Sequence, residues 1–241
     1  MPPDAPRTAV VFGARNLGRA VIDLLVARGW AVTGVARSAA TLDGVRAAGA
    51  RPAEGDVTDA ADVRRVLEEA AGDGPLALAV NAASAYGGGG GAFGGGPIAE
   101  AGAADFDAWA VAPARSAFTF LSAAGALARE RGDRPTLVQV TGGSARRAMP
   151  GRGLWGAGSY AVRAITQAAA QELRPHGIHC ALLIVDAVIA PLEGPPPAWA
   201  APETLADARR LAEAVAFLAD QGPAAATHEL QVTPLAEPWV P

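Results

Sequence analysis

Thr8-Ala-Val-Val-Phe12-Gly13-Ala-Arg-Asn-Leu-Gly18-Arg-Ala20 is the stretch on which the fold turns. A short apolar run without polar alternation ends abruptly at a glycine, the pattern of a strand buried on both faces. An Ala/Leu/Val-rich pattern at helical spacing follows from Leu17 to Arg28. Gly29-Trp30 closes it, and Ala31-Val-Thr-Gly-Val-Ala36 is a second strand candidate. Strand, glycine-bearing turn, helix and strand make a βαβ unit. Such a turn suits phosphate, because glycine lets backbone N–H groups approach an anion and the helix N-terminus adds partial positive charge. Tight turns need glycine for their own sake, so the turn alone does not settle a function.

The alternation continues along the chain. Thr41 to Ala48 reads as helix, and Ala50 to Gly55 leads into Asp56-Val57-Thr58-Asp59. A helix follows from Ala60 to Ala71, then a buried strand Leu76–Val80 ending at Asn81. Residues 84–96 form a glycine-rich tract, expected as a flexible loop at the C-terminal end of that strand, where it can also wall a site. Phe106 to Arg129 reads as a long helix interrupted near Pro113. Thr136–Val140 reads as strand, Ser159–Leu173 as helix, Ile178–Val185 as strand, Ala206–Ala219 as helix and Glu229–Val232 as a last strand. Strands alternating with helices predict one α/β domain over residues 1–241. Its sheet is expected to be a single doubly wound, Rossmann-like parallel sheet of about seven strands with helices on both faces. The proline-rich run around Glu193-Gly-Pro-Pro-Pro-Ala-Trp199 predicts a stiff lid segment over 193–203.

Bulk properties narrow the function classes. A hydrophobic content of 51% over 241 residues supplies a large core and excludes a disordered chain. A net charge of −4 with a pI near 5.4 argues against a general nucleic-acid binder. No apolar run reaches the roughly 18 residues a membrane span needs, and the N-terminus shows no apolar signal segment. A single cysteine, Cys180, suits a reducing compartment, so the expected location is cytoplasmic. His176, His179 and His228 lack metal-ligand spacing, and no metal is expected. All 20 basic residues are arginine; the chain has no lysine.

Several segments in this order resemble the short-chain dehydrogenase/reductase family, over roughly residues 8 to 233. Gly13-Ala-Arg-Asn-Leu-Gly18 resembles the family's Gly-x-x-x-Gly-x-Gly turn, one residue short and without the middle glycine. Asp56-Val57 resembles the pair that cups adenine, and Val80-Asn81-Ala82-Ala83-Ser84 the Asn-Asn-Ala-Gly segment after the fourth strand. Glu172-Leu-Arg-Pro-His-Gly-Ile178 and Glu213 to Asp220 with Thr227 to Val232 resemble the family's later helices and strands. The resemblance implies a nicotinamide dinucleotide held by Gly13, Arg15, Asn16, Leu17, Gly18, Arg37, Ser38, Asp56, Val57, Asn81, Ala82 and Ala83. It implies NADP(H) ahead of NAD(H). The second strand ends at Ala36-Arg37-Ser38, where an acidic residue would bond a ribose 2′-hydroxyl and arginine pairs with a 2′-phosphate. Arg15 in the turn would add a second positive charge; the alternative is that Arg37 and Arg15 are ordinary solvated charges, and the shortened turn leaves open that no dinucleotide binds. Family members are often tetramers, and the Ala-rich helices are compatible with a homodimer or homotetramer.

The family's chemistry is general acid–base catalysis by a tyrosine whose pKa a lysine lowers, with a serine and an asparagine completing the relay. Counting back without gaps from Glu172-Leu173, the lysine position falls on Ser159, the tyrosine position on Trp155 and the serine position on Gly142. The asparagine position falls on Pro113. Tyr160 would be an alternative acid only with a shifted register. That register puts Ala164 where lysine belongs, with Arg163 one place early, and arginine is not a lysine substitute. Asp186, at a strand's C-terminal end in apolar surroundings, is a candidate general base through desolvation, or a plain loop aspartate. Ser144 lies with Arg146, Arg147 and Arg152 in the loop after the fifth strand, where three arginines could hold an acidic substrate. The candidate catalytic residues are therefore Asp186, Tyr160 and Ser144, for a small-molecule substrate the sequence does not name. Three functions stay open: an NADP(H)-binding oxidoreductase with an atypical or defective proton relay, a non-catalytic nucleotide- or partner-binding subunit, and a non-redox lyase, isomerase or cyclase on the same scaffold.

Overall fold

The computed structural model describes residues 6–84 and 91–237. Seven strands form one parallel sheet: β1 (Thr8–Phe12), β2 (Ala31–Ala36), β3 (Arg51–Glu54), β4 (Leu76–Asn81), β5 (Thr136–Gly142), β6 (His179–Val185) and, skipping a two-residue pair described below, β9 (Glu229–Val232). Their spatial order is β3-β2-β1-β4-β5-β6-β9. β1 is buried at every position, which is why its sequence is an unbroken apolar run rather than an alternation.

Helices cover both faces, as the alternation of elements requires. α1 (Asn16–Ala27) and α7 (Ala208–Ala219) pack on one face through Val21, Leu25, Leu211 and Leu218. On the other face, α3 (Ala60–Ala71) and α5 (Ala112–Arg131) bury Val63, Leu67, Phe120 and Leu127, and Phe120 meets Phe12 edge-on at 5.9 Å. α2 (Ala39–Ala47) and α6 (Gly153–Leu173) complete the layers. Short polar side chains start three of these helices: Ser38 accepts from Thr41 N–H, Asp59 from Ala61 N–H and Asp207 from Arg209 N–H.

Two helix boundaries differ from expectation for packing reasons. α6 begins at Gly153, more than a turn before the expected Ser159. Gly153, Gly156 and Gly158 weaken the helical signal, yet Gly158 is needed inside the helix. A Cβ there would lie 2.4 Å from the Trp109 carbonyl oxygen and 2.7 Å from the Pro113 ring. The helix expected from Phe106 starts instead as α4 (Ala103–Phe106), widens into a π turn over Asp107–Val111 and continues as α5. Pro113 has no N–H to give the Trp109 carbonyl, so the helix loosens in the preceding turn and that carbonyl faces Gly158.

The sequence pattern also gave no sign of a second, two-stranded sheet: β7 (Val188–Ile189) pairs with β8 (Leu205–Ala206). It pinches residues 190–204 at their base, with Ala190 N–H donating to Ala206 O at 2.8 Å. The proline-rich segment 193–203 lies within this closed excursion. In the glycine tract 84–96, residues 85–90 fall outside the described residues. Residues 93–95 form a 3-10 turn, and Gly94, Gly95 and Gly96 all have positive φ. Here the glycines build a packed turn: Cβ atoms on Gly94 and Gly95 would lie 2.9 Å from Arg152 and 2.7 Å from Leu154.

Candidate functional site

β1 and β4 are neighbours although β2 and β3 lie between them in the sequence, so the strand order reverses between them. Phe12 pairs with Asn81 at their C-terminal ends. A reversal of this kind leaves a crevice outside the strand ends. The crevice is a cleft of about 1110 Å³ running from the end of β2, across the β1 turn, to the ends of β5 and β6.

The floor of the cleft is the glycine turn. Gly13 has φ +86°, and a Cβ on it would lie 2.5 Å from the backbone of Ala83; the two loops meet backbone to backbone. Gly18 does not line the cleft. It lets α1 sit on the turn, since a Cβ there would lie 2.1 Å from Gly13 O. The position where the family's middle glycine is missing is held by Asn16, the one non-glycine residue with positive φ among the described residues, at +38°. Its Oδ1 accepts from Leu192 N–H at 3.1 Å and its Nδ2 donates to Ile189 O at 3.5 Å. A short amide thus tolerates the left-handed conformation and ties the shortened turn to the segment after β6. Arg15 precedes α1 without a side-chain cap, so the first-turn N–H groups of α1 face the cleft uncapped.

At one end of the cleft, Arg37, Ser38, Asp56 and Val57 form the wall, together with Arg15 and Leu17. Arg37 Nη1 lies 3.3 Å from Asp56 Oδ2, and Asp56 Oδ1 accepts from both the N–H and the hydroxyl of Thr58. Burial pushes the Asp56 carboxyl up, but the Thr58 hydrogen bonds and the Arg37 charge outweigh it and hold it below its ordinary value. Ala82 and Ala83 line the cleft, but Asn81 does not. Its side chain is buried, donates to Ser116 Oγ and Gln139 Oε1, and accepts from Ala83 N–H at 3.2 Å. Asn81 therefore shapes the backbone of the wall from behind.

At the other end, Val140, Thr141, Gly142, Val185, Ala187 and Trp155 line the cleft. Gly142 and Trp155 are side by side: a Cβ on Gly142 would lie 3.3 Å from the indole Cζ2. Pro113 and Ser159 are buried away from the lining, Pro113 against Gly158 and Ser159 at 1% exposure. Among the described lining residues the ionisable groups are Arg15, Arg19, Arg37, Asp56 and Glu193; none is tyrosine, histidine or cysteine.

The three candidate catalytic residues are not in this cleft. Tyr160 is 44% exposed, and five positions beyond Trp155 on a helix it points well away from it. Asp186 lies between Val185 and Ala187, and these two line the cleft while its carboxylate packs on Gly143, where a Cβ would lie 1.8 Å from Oδ1. Arg147 Nη2 pairs with Asp186 Oδ1 at 3.3 Å and with Glu237 Oε1 at 3.6 Å. Burial raises the Asp186 pKa and the nearby Glu237 adds to the rise, against the opposing charge of Arg147. Ser144 is buried next to Gly143, with no hydrogen-bond partner for its hydroxyl among the described residues. The expected arginine cluster disperses. Arg147 faces Asp186, Arg152 lies over the Phe93 ring at 5.2 Å, and the Arg146 charge acts on Glu229. Sequence reasoning also missed Phe93, which stands edge-on to Trp109 at 5.1 Å and to Trp155 at 5.0 Å. The only signal for it was an aromatic residue inside a glycine run.

Among the described residues no group of three or more acidic, histidine or cysteine side chains is placed to hold a metal ion, and no helix is long and apolar enough to cross a membrane. A doubly wound parallel sheet with a cleft at its switch point defines a Rossmann-like α/β protein. The model of the short-chain dehydrogenase family matches residues 7–194, and the chain belongs to that family. Similar solved structures include an alcohol dehydrogenase from the archaeon Thermococcus sibiricus complexed with 5-hydroxy-NADP. It has a TM-score of 0.78 and 21% identity, over 96% of this chain and 97% of that one. A metagenomic short-chain oxidoreductase in complex with NADP has a TM-score of 0.72 and 21% identity, over 96% of this chain and 98% of that one. A short-chain type dehydrogenase/reductase from Mycobacterium ulcerans has a TM-score of 0.78 and 19% identity, over 93% and 87%. At these identities the likeness is one of fold. No protein of curated function matches the sequence.

Proposed function

We propose that this chain is an NADP(H)-binding short-chain dehydrogenase-like protein whose usual tyrosine-dependent proton relay has been replaced by groups that do not exchange protons. The observation that carries the reading is the contact between Gly142 and Trp155 in the cleft wall. Two positions that counting assigns to the relay's serine and tyrosine meet in space, as relay partners must, but neither side chain can pass a proton near neutrality.

The cleft fits a dinucleotide at its adenosine end. Gly13 lets the β1 turn close on the Ala83 backbone, where any Cβ would collide, and the uncapped start of α1 would offer N–H groups to a pyrophosphate. Arg37 would hold a 2′-phosphate, with Arg15 as a second cation and Ser38 beside them; Asp56 and Val57 would cup the adenine. A bound nicotinamide would supply hydride chemistry, and Val140, Gly142, Trp155 and Val185 would lie at its end of the cleft. Asp186 as a general base on this ligand finds no support, because it does not line the cleft.

Fluorescence titration of NADPH and NADH, followed by incubation with a panel of ketones and aldehydes, tests the proposal. NADPH is expected to bind more tightly than NADH and to stay reduced across the panel. Lack of binding by either would remove the proposal, and steady NADPH oxidation with a simple ketone would show a working relay.

A further inference from the structure

We infer that Asn16 is a specificity-determining clasp across the middle of the cleft, so that a whole dinucleotide enters only when the clasp opens, whereas its adenosine half enters without that step; the inference rests on the proposal that the cleft holds NADP(H). Asn16 stands in the turn after β1. The two backbone groups it bonds, Leu192 N–H and Ile189 O, belong to the segment after β6. All three residues line the cleft.

The topology puts this contact across the opening rather than along one wall. β4 and β5 lie between β1 and β6 in the sheet. At about 4.8 Å per strand spacing, the ends of β1 and β6 are about 14 Å apart. The segment after β6 therefore has to come back over the ends of β5 and β4 to meet Asn16. On one side of the meeting point the cleft continues to Arg37, Ser38 and Asp56, and on the other to Val140, Gly142 and Val185. A ligand reaching from the first group to the second has to pass it. A 3.1 Å hydrogen bond admits no atom between its donor and acceptor.

The clasp has a firm base and a loose far end. Ala190 N–H donates to Ala206 O at 2.8 Å, which anchors the start of the excursion. Ile189 and Leu192 pack against the core under α1 and α7. Beyond them residues 193–196 are exposed, and Gly194 has φ +83° with open space where a Cβ would stand. Leu192 can swing out between the anchor and Gly194 with β7 and β8 still paired. Asn16 keeps its side chain at φ +38°, where glycine would be unstrained, so its two bonds oppose a backbone cost. Two neutral hydrogen bonds, one of them long at 3.5 Å, favour the closed form by a factor of about 5 to 30. Only the open share receives a dinucleotide, so its association slows by that factor.

Stopped-flow measurement of NADPH and adenosine 2′,5′-bisphosphate binding to the full chain and to Asn16→Gly tests this. In the wild type NADPH should associate about 5- to 30-fold more slowly than adenosine 2′,5′-bisphosphate, a comparison that needs no variant. Asn16→Gly keeps the positive φ of the turn and should remove most of that difference. Adenosine 2′,5′-bisphosphate should bind the variant within about 2-fold of the wild type, which also reports that the cleft is folded. Amide exchange at Leu192 in the nucleotide-free protein should be faster in the variant. Equal association rates in the wild type, or a difference that survives Asn16→Gly, would overturn the inference while the proposed function stands. Binding of neither ligand by either protein would overturn both.

Discussion

Replacing Arg37 by alanine separates ligand recognition from stability. The Arg37 side chain is 73% exposed, and its pair with Asp56 spans 3.3 Å at the rim of the cleft. An exposed pair of this kind contributes at most about 1 kcal/mol, so the variant should unfold within about 0.5 kcal/mol of the wild type. The charged hydrogen bond to a 2′-phosphate is different. Such bonds contribute about 1.5–3 kcal/mol, and the exposure of Arg37 favours the lower half of that range. NADPH affinity should fall roughly 10- to 30-fold. NADH has no 2′-phosphate and should change less than about 2-fold. Calorimetric titration of both nucleotides against both proteins reads the difference, with urea denaturation as the stability control. An equal loss for NADPH and NADH would show that Arg37 acts only through Asp56 and the wall, and unchanged NADPH binding would remove Arg37 from the site.

Other substitutions test the packing that builds the cleft. Gly158→Ala forces a Cβ to within 2.4 Å of the Trp109 carbonyl, and thermal denaturation should fall by about 6–12 °C, for a cost of about 3 kcal/mol; a shift under about 2 °C would deny the contact between α6 and the π turn. Gly142→Ser places its Cβ 3.3 Å from the Trp155 ring, so it should cost below about 1 kcal/mol alone and less beside Trp155→Tyr. Strict additivity in urea denaturation would contradict that neighbourhood. Burial pushes the Cys180 thiol up to about 12, so it should resist thiol reagents until the chain unfolds, and rapid labelling in native buffer would count against its placement. Asp186 has a raised carboxyl pKa, so the folded chain keeps its proton to higher pH than the unfolded chain does. Its contribution is present below the ordinary carboxyl value and lost as pH rises through the raised one. The stability of the wild type relative to Asp186→Asn should therefore decline as pH rises through and above the ordinary carboxyl range, and a relative gain there would reverse the assignment.

The fold was legible because its signals are local and repeated. β1 is an apolar run because both its faces are buried, and the turn at Gly13 needs the conformation glycine allows. The start of α6 was hidden because Gly153, Gly156 and Gly158 read as breakers, whereas their value lies in contacts with distant residues such as Trp109 and Pro113. β7 and β8 are two residues each, too short for any periodicity to mark. In the cleft, the two positions counted back from the end of α6, Trp155 and Gly142, lie in one wall, although a loop joins β5 to α6. Side-chain direction at strand ends was not legible: Asn81 turns into the core and Asp186 onto Gly143, each one residue from a neighbour that does line the cleft.

The account stands on the proposal that the cleft holds the adenosine half of a dinucleotide while the described residues lining its other end include no tyrosine, histidine or cysteine. A structure determined with NADP⁺ bound tests both halves together. The 2′-phosphate should lie on Arg37, and the nicotinamide ring should lie against Trp155 and Gly142 with no phenol in hydrogen-bond reach of a substrate oxygen. A Tyr160 hydroxyl poised beside the hydride-carrying carbon, with a cation against it, would contradict the account.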